Sequence, residues 1–300
     1  MRFENNIKIE IYESFSKNTE RQERYLSLLK KRAEPYTPKE ENFTDLYSEK
    51  EINTDLERVV FLEKKFEEDS TKESKTLKRI SDVFEGVVVE QAEQGAWFGE
   101  KVHFYPTSRY DDFVNGVDGV AEFYDEQEDE NGEIVSVPSH TALSFDVVFS
   151  REAKRIEEKL QRTKEMIERG ELTEVKYFED EEGNRKSLRA PRIVLGSRLS
   201  SAEKLIDLWG SKTPDKNKKL ARHPMQIKLL LESYLQLYHF SEYARELGKP
   251  EIAHAYGSLC NRVSEILNNE KKDLLNEHYN EISDDIVFET VRDFCSKASL

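Results

Sequence analysis

The order of helix-like and strand-like segments between residues 73 and 198 most limits what this chain can fold into. A segment with apolar residues at helical spacing is followed by three short runs rich in β-branched and aromatic residues. A second helical segment and two further strand-like runs come next. Because a strand, a helix and a strand in succession form a parallel pair, the sheet combines parallel and antiparallel strands. The order predicts an α/β fold with a mixed central sheet flanked by helices.

The residue patterns set the boundaries of these segments. The first helix is expected within 73–98 and the second over 151–170, where Gly170 suits the left-handed cap that ends many helices. The strand-like runs are KVHFYP, VDGVAEFY and HTALSFDVVF before the second helix, and TEVKYFED and APRIVLGS after it. The polar stretch EEGNRKSLR, between the last two runs, is expected to be a loop.

We expect three regions along the chain. Residues 1–72 are highly charged with weak apolar periodicity, which indicates a peripheral, partly helical arm. Residues 73–210 contain the α/β core. Residues 211–300 form a helical region whose Leu- and Tyr-rich stripes pack on that core or, alternatively, form a protein-binding or self-association surface.

Charge is unevenly distributed along the chain. The net charge is -15, so the overall field repels nucleic acid. Residues 151–222 are the exception, because they carry 19 basic and 14 acidic side chains. This stretch could offer a phosphate-binding face, although a lysine-rich helix followed by a loop has the same composition. Nucleic acid is therefore a candidate partner through residues 151–222.

Several classes of protein and of site are not indicated. No apolar run approaches the ~20 residues of a membrane helix, and the N-terminus lacks the basic head and apolar stretch of a secretory signal. The two cysteines, Cys260 and Cys295, are too few for a disulfide framework, so a cytoplasmic location is expected. The six histidines show no zinc-ligand spacing, and phosphate-loop and serine-nucleophile motifs are absent.

Two aspartates on neighbouring strands are the strongest candidates for chemistry. Asp146 interrupts an otherwise apolar strand, where an unpartnered carboxylate is costly, and Asp118 begins the strand before it. Two aspartates that face the same way on adjacent strands suit a hard divalent cation. Asp111 and Asp112 fit a turn before Asn115-Gly116 but could reach the same ion, and His140 is either a polar strand residue or a member of the site.

The order helix, three strands, helix, strand, with these acids, resembles the PD-(D/E)xK nuclease superfamily over residues 75–198. The resemblance implies a restriction-endonuclease-like core in which Asp118 and Asp146 bind Mg²⁺ or Mn²⁺ and Glu90 is the acid of the first helix. It also implies a lysine two residues after the second strand acid, where this chain has Val148.

Another lysine would therefore have to replace the missing one. On the second helix, Lys159 lies at the edge of the apolar stripe and can lean towards the sheet, whereas Lys154 faces solvent. A rival assignment uses Glu174 and Lys176, which form an E-x-K motif on the strand after that helix. We rank Lys159 first, because the family does not normally place the motif after the crossover helix.

The resemblance implies a divalent-metal-dependent nuclease that hydrolyses phosphodiester bonds. Glu90, Asp118, Asp146 and Lys159 would then be the catalytic residues. Four basic residues are candidates for binding the substrate phosphates: Arg185, Lys186, Arg189 and Arg192. The alternatives are a non-catalytic binding or scaffold protein with this fold, which the missing lysine and the net charge of -15 favour, and a helical interaction module with structural carboxylates.

Overall fold

The computed structural model describes residues 19–128, 134–149 and 153–297, excepting the side chains of 126–142 and 145–149. It confirms an α/β fold with a mixed sheet and a helical C-terminal region. The sheet has four strands in the order β1-β2-β3-β6. Their bounds are Val102–Pro106 for β1, Gly119–Glu128 for β2, Ile134–Phe149 for β3 and Arg192–Ser197 for β6.

The register of this sheet combines two antiparallel pairs with one parallel pair. β1 and β2 are antiparallel, as are β2 and β3, in which Gly119 pairs with Phe145. β3 and β6 are parallel, with Phe145 beside Ile193. A helix, α4 (Ala153–Arg169), follows β3, and Gly170 ends it with a φ of 82° as its cap pattern predicts.

A two-stranded hairpin is inserted between α4 and β6. Its strands are β4 (Thr173–Glu179) and β5 (Arg185–Ala190), so the prediction of a loop over EEGNRKSLR was wrong in its second half. The hairpin packs Val175 and Phe178 against Tyr105 and Val120 of the four-stranded sheet. Because this insertion forms its own sheet, the parallel partner of β3 is the second strand after α4 and not the first.

Helices surround the two sheets. An N-terminal helix, α1, covers 19–33. The others are α2 (Glu49–Asp69), α3 (Lys72–Gln94), α5 (Leu199–Trp209), α6 (Lys216–Ala221), α7 (Met225–Glu246), α8 (Pro250–Glu265), α9 (Lys272–Ile282) and α10 (Ile286–Lys297). Among the helices that the structure describes, none has the length and apolar character needed to cross a membrane.

One large apolar cluster contains residues from all three predicted regions. Tyr25 and Leu29 of α1 are buried in it together with side chains of α3, the sheet, α7, α8 and α10. Gly86 of α3 permits the approach of α1, because a Cβ at this position would lie 3.1 Å from Leu29 Cδ1. A second cluster joins α2 to the hairpin through Phe43, Ile52, Val59 and Tyr177. Residues 19–69 are thus packed on the α/β region.

Polar side chains of α7 cover the outer edge of strand β6. Gln236 accepts from the amide of Val194 and donates to its carbonyl, and Glu232 accepts from the amide of Gly196. Lys228 donates to the carbonyl of Gly196. Polar residues four apart on α7 match main-chain groups two apart on β6, because four helical residues advance ~6 Å and two strand residues advance ~6.6 Å. The edge is therefore paired without a further strand, which protects it from association with another chain.

Candidate functional site

Asp118 lies just before the first residue of strand β2, and its charge acts on Glu85 of helix α3. It immediately precedes Gly119, which pairs with Phe145, so the next position along β3 is Asp146. The main chain of Asp146 pairs with Val194 of β6, whereas its side chain lies outside the described side chains, as does that of His140. The two predicted metal-binding aspartates thus occupy neighbouring positions on adjacent strands.

A polar face of α3 completes the charged cluster. Lys78, Asp82 and Glu85 recur at spacings of four and three, which places them on one side of the helix. Lys78 Nζ donates to Asp82 Oδ1 at 2.7 Å. The charges of Asp82, Asp112 and Asp118 all act on Glu85. We call Asp82, Glu85, Asp112 and Asp118 the carboxylate cluster; all four side chains are half-buried.

The electrostatics of the carboxylate cluster are unfavourable for its own charges. Burial, followed by repulsion from Asp118, Asp112 and Asp82, raises the pKa of Glu85 well above its usual range. Lys78 acts in the opposite direction. Burial disfavours the charged form of Lys78 itself, but the charge and hydrogen bond of Asp82 outweigh burial and raise the pKa of Lys78. A bound cation would relieve this repulsion.

The structure places Glu90, the predicted helix acid, on a different side of α3. Five residues separate Glu85 from Glu90, which corresponds to about 140° around the helix axis. Glu90 accepts two hydrogen bonds from Arg32 and one from the Trp209 indole. It therefore joins α1 and α5 to α3, and Glu85 is the residue of α3 that faces Asp118. The helical spacing of Lys78, Asp82 and Glu85 was the sequence signal that could have identified this face.

The turn before Asp118 is a π-helical segment, Asp111–Asn115. It ends at Gly116, whose φ of 65° is a left-handed conformation that favours glycine. Arg192 donates to the carbonyls of Asn115 and Gly116, at 3.0 and 2.6 Å. Arg192 is buried. The residue predicted to bind phosphate therefore orients the loop that carries Asp112 and Asp118.

Asp111 joins this turn to the inserted hairpin. It is fully buried, and its carboxylate accepts from the amides of Lys176 and Tyr177 and from Ser108 and Asn115. The register of β4 and β5 shifts between Val175 and Phe178, so these two amides lie at an irregular point of the ladder. Asp111 is thus a structural acceptor, although burial raises its pKa.

Replacing Asp111 with alanine should destabilise the protein by about 2–4 kcal/mol, because two buried amides lose their acceptor. Urea unfolding monitored by tryptophan fluorescence measures this loss. Asp45→Ala is the matched control, because Asp45 is exposed, and it should change the free energy of unfolding by less than about 0.5 kcal/mol. Equal effects of the two substitutions would contradict the structural role of Asp111.

The lysine candidates have separate environments. Lys159 is half-buried on α4, and Lys154 is exposed and lies 3.7 Å from Glu158. Lys176 forms an ion pair with Asp55 of α2 and lies over the Tyr47 ring. Glu174, the other half of the rival motif, accepts from Ser187. Lys176 and Glu174 thus take part in contacts of the hairpin, whereas the charge of Lys78 acts on Glu85.

The four predicted phosphate-binding residues do not form one patch. Arg185 donates to Glu179, and Lys186 lies 3.6 Å from the buried carboxylate of Glu122. Arg189 is exposed on β5, and Arg192 is buried beneath the turn. Lys186 and Arg189 therefore retain some access to solvent, whereas Arg192 does not.

No family model, curated protein or solved structure matches this chain. Half-buried carboxylates that repel one another, next to the ammonium group of Lys78, are suited to binding a hard divalent cation through oxygen atoms. They are also suited to holding a proton, because burial and repulsion raise the pKa of Glu85 and favour its protonated form.

Proposed function

We propose that this protein is a divalent-cation-dependent phosphodiester hydrolase with a restriction-endonuclease-like core. The single observation that carries the proposal is the carboxylate cluster, in which Glu85 of the helix before the sheet is repelled by Asp118 at the start of β2. The order α3, β1, β2, β3, α4, β6, with a parallel pair between β3 and β6, supports the same proposal. Mg²⁺ or Mn²⁺ is the proposed cofactor.

Oxygen ligands from Asp118, and from Asp146 in the next register position, would hold the cation. When bound, the cation supplies stabilisation of the negative charge that develops on the phosphate. Glu85 would hold or accept a proton from the attacking water, because its pKa is raised. The resemblance implies a lysine at position 148, where this chain has Val148. Lys78 would supply the positive charge of that missing lysine.

A non-catalytic binding protein with the same core is the second candidate. The hydrogen bond between Lys78 and Asp82 favours it, because an ammonium group that balances a carboxylate stabilises the cluster without a metal. Nucleic acid is the proposed partner through residues 151–222, where Lys186 and Arg189 are accessible. We also propose that the C-terminal helices bind a protein partner.

The experiment is a comparison of wild type, Glu85→Gln and Glu90→Gln with labelled single- and double-stranded DNA and RNA. Each protein is incubated with Mg²⁺, Mn²⁺ or EDTA, and the cleavage rate and thermal melting are measured. We expect metal-dependent cleavage in wild type and about a hundredfold loss in Glu85→Gln, in line with the loss of a general acid or base.

Glu90→Gln is the control, because this residue lies on the same helix but on another side. It should keep the wild-type cleavage rate and lose stability, since Arg32 and Trp209 lose a charged partner. A metal-dependent melting shift without cleavage would favour the non-catalytic candidate. No metal effect on either cleavage or melting would reject the hydrolase, whereas the non-catalytic candidate, in which Lys78 balances the cluster without a metal, would be rejected only if none of the nucleic acids bound.

A further inference from the structure

A second group of potential metal ligands lies at the outer edge of the four-stranded sheet. Glu93 is in the last turn of α3, His103 is on the edge strand β1, and Glu181 is in the turn between β4 and β5. One ligand atom from each lies within 4.8 Å of the others. Three separate elements therefore meet at this point, and none of these residues belongs to the carboxylate cluster.

The distances in this group suit a small cation. His103 Nδ1 lies 3.2 Å from Glu93 Oε1 and 3.2 Å from Glu181 Oε1. Two ligands of a tetrahedral zinc ion, each about 2.1 Å from the metal, are roughly 3.4 Å apart. The two separations from His103 are thus close to what such an ion requires, and the two carboxylate oxygens lie within 4.8 Å of each other. Without a proton or a cation, the Nδ1 lone pair and two carboxylates would repel one another.

Neighbouring groups hold the three ligands in place. Glu93 Oε2 accepts from the amide of Phe104 at 2.8 Å, which leaves Oε1 directed at His103. The His103 ring packs edge-on against Tyr124, with centroids 4.8 Å apart. The turn that carries Glu181 is fixed by Asp180, whose Oδ1 accepts from the amides of Glu182 and Asn184. Such outer hydrogen bonds are typical of metal sites that are organised before the metal binds.

We propose that Glu93, His103 and Glu181 bind a zinc-class divalent cation that fastens the tip of the β4–β5 hairpin to the edge of the main sheet. An imidazole ligand favours zinc-class ions over Mg²⁺, which prefers oxygen ligands and keeps its water. Two carboxylates and a neutral imidazole carry a charge of -2, which balances the ion. The site is independent of the proposed hydrolase function.

The test is a titration of chelator-treated full-length protein with zinc chloride at pH 7.5, measured by calorimetry. We expect one zinc ion per chain in wild type and at least about tenfold weaker binding in His103→Asn and Glu181→Gln. His254→Asn and Glu251→Gln are matched controls, because both residues are exposed on α8, and both variants should bind as wild type does. Magnesium chloride should not compete, and Asp118→Asn should keep the zinc site.

Hydrogen exchange gives a second readout that does not depend on a variant. Zinc should slow the exchange of amides in 180–184 and 102–106, because it joins the hairpin turn to β1. Zinc binding that is unchanged in His103→Asn, or lost equally in His254→Asn, would overturn the site. A second contrary outcome is the loss of zinc binding in His103→Asn but not in Glu181→Gln, with no slowing of amide exchange over 180–184. That result would overturn the proposal that zinc fastens the hairpin to the main sheet.

Discussion

Asp118→Asn is expected to abolish metal-dependent phosphodiester hydrolysis while leaving the protein folded. The amide keeps the size of the side chain but removes the charge that would hold the cation. Losing about 4 kcal/mol of transition-state stabilisation corresponds to a decrease of about a thousandfold in rate. The rate of cleavage at saturating Mg²⁺ or Mn²⁺ measures it.

Thermal melting separates this catalytic role from a structural one. Asp118 raises the pKa of Glu85 by repulsion, so its neutralisation should leave the melting temperature without metal unchanged or increase it. The increase in melting temperature caused by Mg²⁺ in wild type should disappear. Asp293→Asn, an exposed control on α10, should retain both the cleavage and the metal effect. Full activity in Asp118→Asn would exclude Asp118 from the site.

Lys228→Met, a substitution away from the carboxylate cluster, is expected to cause a large loss of stability. Lys228 is buried on α7, and its ammonium group contacts Glu232, Asp285 and the carbonyl of Gly196. Methionine has a similar length but no charge, so two buried carboxylates lose their partner. Removing one member of a buried ion pair costs about 3–5 kcal/mol, which urea unfolding at pH 8 can measure.

This loss should depend on pH in a defined direction. Burial, opposed by Lys228, raises the pKa of Glu232 to about 7. Because this native pKa is above the unfolded value, the contribution of Glu232 is fully present at low pH and declines as the pH rises through about 7. The deficit of Lys228→Met should therefore shrink between pH 8 and pH 5, as Glu232 takes up a proton. An equal deficit at both pH values would contradict this account.

Two further variants control for the loss of a lysine as such. Lys154→Met removes an exposed i,i+4 partner of Glu158 on α4 and should change stability by less than about 0.5 kcal/mol. The double variant Lys228→Met/Glu232→Gln removes one unpaired charge and should recover part of the loss. Equal losses of unfolding free energy in Lys154→Met and Lys228→Met would contradict a stabilising role of the buried network on α7.

The lysine network also shows why sequence patterns missed part of the fold. Lys228, Glu232 and Gln236 recur every four residues on α7, in a helix whose other side carries a Leu-rich stripe. Such a polar row is normally exposed. Here it is buried, because it bonds the outer main-chain groups of β6. The pattern identified the helix, but only the position of β6 in the sheet shows where its polar side faces.

The same limit applies to the candidate site. Both strand aspartates could be selected from their sequence context, since acids that interrupt apolar strands need partners. The resemblance pointed to Glu90 as the helix acid, whereas it is Glu85 that shares a side of α3 with Asp82 and Lys78. The rotation of α3 is set by its apolar side, which packs Val83, Phe84 and Val87 into the core. Sequence position alone does not show which of two flanking polar sides meets the sheet.

The sequence by itself determined the α/β class, the mixed sheet and the helical C-terminal region. These follow from local periodicity and from the chain geometry that makes a strand–helix–strand step parallel. The tertiary structure decided the insertion of the β4–β5 hairpin, the proximity of Glu85 to Asp118 and the burial of Arg192. It also brought Glu93, His103 and Glu181 together. These features depend on side chains distant in the sequence, and no local pattern encodes the packing that joins them.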